Sequence, residues 1–189
     1  MRIAATPRSS LQMVQFTRAF SLLAVLSVVL AASVKRDAAT VEVDLKTTSS
    51  AVTDVYNAIN TFSGSANIEN AGRIEVSVNN LGGSLVTVTK DANASPSFSD
   101  ADCTAIINEV EAFTSTIVKG LQKFATCAAQ INQLHLQGLA CGSLKDLKSK
   151  TEGAFTALKA KCVNQQTGVT TIENQILAAG DGVTSAFKC

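Results

Sequence analysis

Residues 73–90 read RIEVSVNNLGGSLVTVTK, and two foldings compete for them. Apolar and polar residues alternate around Asn80-Leu81-Gly82-Gly83 and β-branched residues are frequent, which is the pattern of a β-hairpin. Yet Ala71, Ile74, Val78, Leu81, Leu85 and Val88 keep a three–four spacing straight through the supposed turn, the period of one helix face. A lone hairpin is marginal in water without further strands. No other segment of the chain reads as a strand. The stretch is therefore assigned to a helix, although Gly82 and Gly83 each cost about 1 kcal/mol relative to alanine. That assignment makes the whole domain helical.

The flanking segments agree with it. From Asp37 to Phe62 the stripe is Val41, Leu45, Val52, Val55, Ile59 and Phe62, with Thr48 filling its gap, and Ser63-Gly64-Ser65 ends it. Ala92 to Phe98 reads as a loop holding Pro96 and the glycosylation sequon Asn93-Ala94-Ser95. The strongest helix signal runs from Ser99 to Ile131, with Ile106, Val110, Phe113, Ile117, Leu121, Phe124, Ala128 and Ile131 on one face. Ser99 and Asp102 form its capping signature. Such a helix reaches roughly 50 Å, with Gly120 its weakest point.

Gln137 to Gly142 reads as a turn, after which Ser143 to Asp146 opens a fourth helix carrying Leu144, Leu147, Ala154, Phe155 and Leu158. A break at Val163 to Gly168 precedes the last helix, with Val169, Ile172, Ile176, Ala179, Val183 and Phe187 inward. One apolar stripe per helix must be buried against other helices. The expected fold is all-α, an antiparallel bundle of about five amphipathic helices over residues 37–189.

Residues 1–36 are expected to be removed. Arg2, Arg8 and Arg18 precede an apolar run from Phe20 to Ala32, too short for the ~20 residues of a membrane span and typical of a secretory signal peptide. Lys35-Arg36 follows as a dibasic processing site, so the mature chain is expected to start at Asp37. The leader holds five of the 16 basic side chains and none of the 15 acidic ones, which leaves the mature part net acidic. A basic surface for nucleic acid is thereby excluded. The end Ala186-Phe187-Lys188-Cys189 lacks the hydrophobic tail of a GPI signal. A secreted, extracellular protein without a stable membrane span is expected.

Five cysteines in a secreted chain imply two disulfides and one left over. Antiparallel packing of the third helix on the fourth places Cys103 beside Cys162 at one end and Cys127 near Cys141 at the other. The fifth helix returns Cys189 to that second end, where it competes for either partner. The expected bridges are Cys103–Cys162 and Cys127–Cys141, with Cys189 free or joining two molecules. No CxxC pair and a single histidine, His135, argue against a metal site.

Catalytic patterns are missing as well. His135 has no nucleophile turn of the GxSxG kind to serve, and reads as a surface or helix-end residue. Glu109, Glu111 and Asp146 lie on polar helix faces, and Gly82-Gly83 lacks the Lys-Ser/Thr of a phosphate loop. The expectation is a protein that is not an enzyme and needs no cofactor.

Several local sequences bear on a family. Lys35-Arg36 is followed by Asp37-Ala-Ala-Thr-Val, and the first helix ends Asn57-Ala-Ile-Asn-Thr-Phe62. Later come Ser99-Asp-Ala-Asp102, Val110-Glu-Ala-Phe113 with Ile117, Asp146-Leu-Lys148 with Thr151 and Ala154-Phe155, and Ala186-Phe187. With these features the chain resembles the fungal hydrophobic surface-binding proteins, related to cell-wall galactomannoproteins. The resemblance implies a secreted, all-helical, non-catalytic protein that adsorbs to hydrophobic surfaces and helps recruit secreted polyesterases to them. Related cell-wall members bind fatty acids in an apolar cavity between helices. Five cysteines and the lack of a Ser/Thr-rich tail depart from the family pattern.

A core of Ala, Val and Ile with no Trp leaves room for an acyl chain, each buried CH₂ contributing about 0.8 kcal/mol. The candidate lining residues are Ile74, Val78, Leu81, Phe113, Ile117, Phe124, Phe155, Leu158, Ile172 and Ile176. Simple core packing is the competing reading of each. The alternative function is a structural cell-wall or effector-like protein that binds a protein or glycan through its outer face.

Overall fold

The computed structural model of the protein describes residues 37–189; the leader and the dibasic site lie outside them. Six α-helices follow one another: α1 (Ala38–Gly64), α2 (Ile68–Ala94), α3 (Asp100–Thr126), the short α4 (Ala128–Gln133), α5 (Gln137–Lys161) and α6 (Gln166–Phe187). A 3₁₀ turn, Val163–Gln165, joins the last two. Among the described residues there is no strand. None of the helices is long and apolar enough to cross a membrane.

Side-chain caps set the starts of the first three helices. The Asp37 carboxylate accepts the Thr40 N–H at 3.0 Å and the Asn67 side chain accepts the Asn70 N–H at 2.9 Å. Ser99 and Asp102 form a reciprocal capping box at α3.

Residues 73–90 are helical, as the three–four spacing requires. Gly82 has a packing reason: the stem of Lys150 on α5 crosses it, and a Cβ there would stand 3.2 Å from the lysine Cδ. A Cβ added at Gly83 meets no other side chain or helix within 4 Å.

The five long helices close into a ring in the order α1, α2, α5, α6, α3 and back to α1. Successive long helices run antiparallel, yet α2 lies parallel to α5. The Glu75 carboxylate accepts the Ser143 hydroxyl near their starts, and Lys161 Nζ donates to the Asn93 and Ser95 carbonyls near their ends. The α5–α6 seam is the least closely packed of the ring. Two apolar clusters fill the interior. One gathers Val41, Val88, Ile106, Val110 and Leu158, and the other Phe62, Ile74, Phe124, Ile131 and Phe187. The rings of Phe124 and Phe187 stand 4.9 Å apart in the second.

Four expectations change. The 50 Å helix does not form, because the chain breaks at Cys127. There the Cys127 N–H turns to the Phe124 carbonyl, and the Thr126 hydroxyl takes up the Lys123 carbonyl at 2.7 Å. The supposed turn at Gln137 to Gly142 is the first part of α5; the turn comes earlier, at His135, which is exposed with φ 58°. Ser143 is consequently no cap. Asn93 sits in the last turn of α2 rather than in a loop, exposed, while Ser95 of its sequon is buried and donates to the Asp91 carbonyl.

The cysteines give the fourth change. Cys103 is bonded to Cys162, and Cys141 is bonded to Cys189. The Cys127–Cys141 bridge is not formed, Cys189 is not the one left over, and Cys127 is a fully buried thiol. The C-terminal turn of α6 brings Cys189 to the start of α5, while the break at Cys127 turns that residue into the apolar cluster. α3 and α5 are also not ring neighbours, since α6 lies between them. Cys162 reaches Cys103 because it has already left α5 on the way to the 3₁₀ turn. Both bridges therefore join α3, α5 and α6, and neither touches α1 or α2.

Candidate functional site

The ring interior is incompletely filled. A cavity of about 140 Å³ lies among α1, α2, α3, α5 and α6, with walls that are almost wholly carbon. A second, of about 70 Å³, lies toward the Phe124 end. Val55, Ile59, Leu121, Leu144 and Leu147 line both and form the partition between them. The larger cavity matches in size an engineered cavity of about 150 Å³ that stays dry and binds benzene.

The cavities exist because the facing side chains are short. Thr48 of α1 occupies a stripe position, buried, with its hydroxyl donated to the Asp44 carbonyl 2.9 Å away. On α5 the short buried residues are Thr151, whose hydroxyl donates to the Leu147 carbonyl at 2.8 Å, and Ala154, and Gly120 and Gly180 line the same space from α3 and α6. A wall of such residues leaves a gap where longer apolar side chains would interdigitate.

Of the candidates read from the sequence, Leu81, Phe113, Ile117, Phe155, Leu158 and Ile176 line the larger cavity. Ile74, Val78 and Phe124 line the smaller one. Ile172 lines neither and is packed in the core. The contribution of α1 was missed entirely: Leu45, Thr48, Val52, Val55, Tyr56 and Ile59. Thr48 was the available signal, a small polar residue in the middle of an apolar stripe.

Charge is distributed unevenly around the two spaces. Lys145 and Lys148 are the charged residues at the larger cavity, and Glu75 is the one at the smaller. Lys148 reaches across the α5–α6 seam, its Nζ 2.9 Å from Oδ1 of Asp181. The hydrogen bond to Asp181, reinforced by its charge, raises the lysine above its usual 10.5. His135 lines neither cavity. No cluster of three metal-ligating side chains occurs among the described residues.

The geometry has known counterparts. A crystal structure of AFMP4P in complex with palmitic acid superposes with a TM-score of 0.75 at 24% identity, covering 80% of this chain and 99% of that one. Ligand binding domain 1 of Penicillium marneffei MP1 protein, complexed with arachidonic acids, gives 0.63 at 12% identity over 76% and 98% of the two chains. Ligand binding domain 2 of the same protein, complexed with multiple arachidonic acids, gives 0.61 at 16% identity over 73% and 92%. At these identities the likeness is one of fold. Among curated protein sequences, none matches significantly. The family model described as hydrophobic surface binding protein A matches residues 38–160. The chain belongs to that family.

Proposed function

We propose that the protein is a secreted, non-catalytic binder of long-chain fatty acids or similar apolar molecules, held inside the helix ring. The observation that carries this is the pair of adjoining apolar cavities with the five-residue partition between them. Fatty acids in solved structures of the same fold support it. As it stands the larger cavity has the volume of a benzene site, so an acyl chain enters only as the helices spread around it. Each CH₂ buried in this way contributes about 0.8 kcal/mol.

The exposed large apolar residues favour the interior over the outer surface as the binding element. Val43, Ile68, Val76, Val86, Leu139 and Val163 are spread over α1, α2, α5 and the 3₁₀ turn, and the three on α2 stand two or more helical turns apart. Adsorption to apolar surfaces, and recruitment of a secreted polyesterase to them, then follow from the same ring once it spreads. Native mass spectrometry of delipidated residues 37–189 titrated with hexadecanoic acid tests the reading. One or more bound acids are expected, and their number drops in Ala154→Met, which fills the larger cavity. Absence of uptake at every ratio, together with no adsorption to apolar beads, overturns it.

A further inference from the structure

The exposed residues among those that line the larger cavity are Lys145 and Lys148 of α5, which share it with Gly180 and Thr184 of α6 across the least closely packed seam of the ring. Two features make that place a mouth with a chemical preference. Both charged residues at the cavity are cations, on a domain that is net acidic. The space around the seam is also open: a Cβ added at Gly180 or Gly182, on either side of Asp181, meets nothing within 4 Å. The smaller cavity carries the opposite sign, because its charged residue is Glu75, held by Ser143 at 2.8 Å.

We infer that Lys148, with Lys145 beside it, is the anchoring site for the carboxylate of a long-chain acid, which takes the place of Asp181 as partner of the lysine. This rests on the lipid-binding reading above and adds to it a site, an orientation and a selectivity. Asp181 occupies the lysine from the facing helix, with its side chain 62% exposed and the lysine's 44% exposed, so the exchange requires only a side-chain rotation. An exposed pair of this kind is weak and readily replaced. A ligand carboxylate has the additional hold of its buried chain, so the local concentration of the anion at Lys148 is high once the tail is in. With the head at Lys148, the tail runs along α5 past Thr151 and Phe155 to Leu158, about 15 Å of helix. The reverse orientation buries the carboxylate beside Leu158, among apolar side chains with neither lysine of the cavity to pair it, which is costly.

Lys148→Met and Asp181→Asn have opposite expected effects, which separates anchoring from a structural role. Equilibrium dialysis of the disulfide-intact domain measures hexadecanoic acid and its methyl ester in parallel. Lys148→Met is expected to bind the acid about tenfold more weakly, the loss of one charge-assisted hydrogen bond, with the ester unchanged. Asp181→Asn is expected to bind the acid a few-fold more tightly because the competing carboxylate is gone, again with the ester unchanged. Lys148→Arg retains the acid. Equal effects on acid and ester, or weaker acid binding in Asp181→Asn, overturn the anchor and leave lipid binding standing. Failure of the wild type to take up either compound overturns the lipid reading itself.

Discussion

Cys141 and Cys189, 48 residues apart, stand with their Cα atoms 5.5 Å apart and their sulfurs bonded, while Cys127 stays a thiol in the apolar cluster against which Cys141 packs. Peptide mapping without reduction should accordingly recover Cys103 with Cys162 and Cys141 with Cys189. The Cys127 thiol should resist alkylation until the domain is unfolded. A Cys127–Cys141 peptide in the native digest would contradict the pairing. Loops of 48 and 59 residues correspond to about 4 kcal/mol of chain entropy each, so Cys141→Ser with Cys189→Ser should lower stability by up to that amount.

The paired glycines of α2 should respond differently to alanine. Gly83 is exposed with open space around it, so Gly83→Ala should stabilise the domain by about 1 kcal/mol in urea unfolding. Gly82→Ala meets the stem of Lys150 and should gain less than that or lose stability. Equal gains at both positions would mean that the lysine crossing does not constrain α2.

Phe187 is fully buried two residues before the terminal cysteine, against Phe124. Phe187→Ala should cost about 3–5 kcal/mol by thermal or urea unfolding. The loss should be felt even with the Cys141–Cys189 bridge intact, since the bridge closes the chain but fills no space. A cost below 1 kcal/mol would show that the end of α6 is not packed as described.

Lys159 and Glu173 form an ion pair 2.8 Å apart with the carboxylate side chain 10% exposed. Glu173→Ala leaves the ammonium without that partner and should cost about 1–3 kcal/mol at neutral pH. Glu173→Leu, which replaces the lost volume, should recover part of it. Chemical denaturation of both variants measures the difference.

The helices were legible from the sequence because each carries a stripe long enough to outweigh local exceptions, even across Gly82-Gly83. Their ends were less so. Two glycines in Gln137-Gly138-Leu139-Ala140-Cys141-Gly142 look like a turn, but this segment is held helical by tertiary contacts: the Cys141–Cys189 bond and the hydrogen bond from Gln137 Nε2 to the Phe187 carbonyl. The order of the ring is not encoded in a periodic pattern at all. Placing consecutive helices side by side put α5 against α3, whereas α6 takes that position. That is why Lys145, Lys148 and the α1 wall were not read as parts of one site. A stripe shows which face of a helix is buried, not which helix it faces.

The absence of cysteine from α1 and α2 gives the domain an order of disassembly. Cross-links confine residues 103–189 to a compact set of loops as long as the disulfides are oxidised, while residues 38–94 carry no cross-link. Local unfolding proceeds where the fewest constraints hold. Amide hydrogen exchange should therefore record α1 and α2 releasing together and earlier than α3 and α6, with the stapled helices retained as a remnant. In a reducing medium that staggered release should merge into a single step.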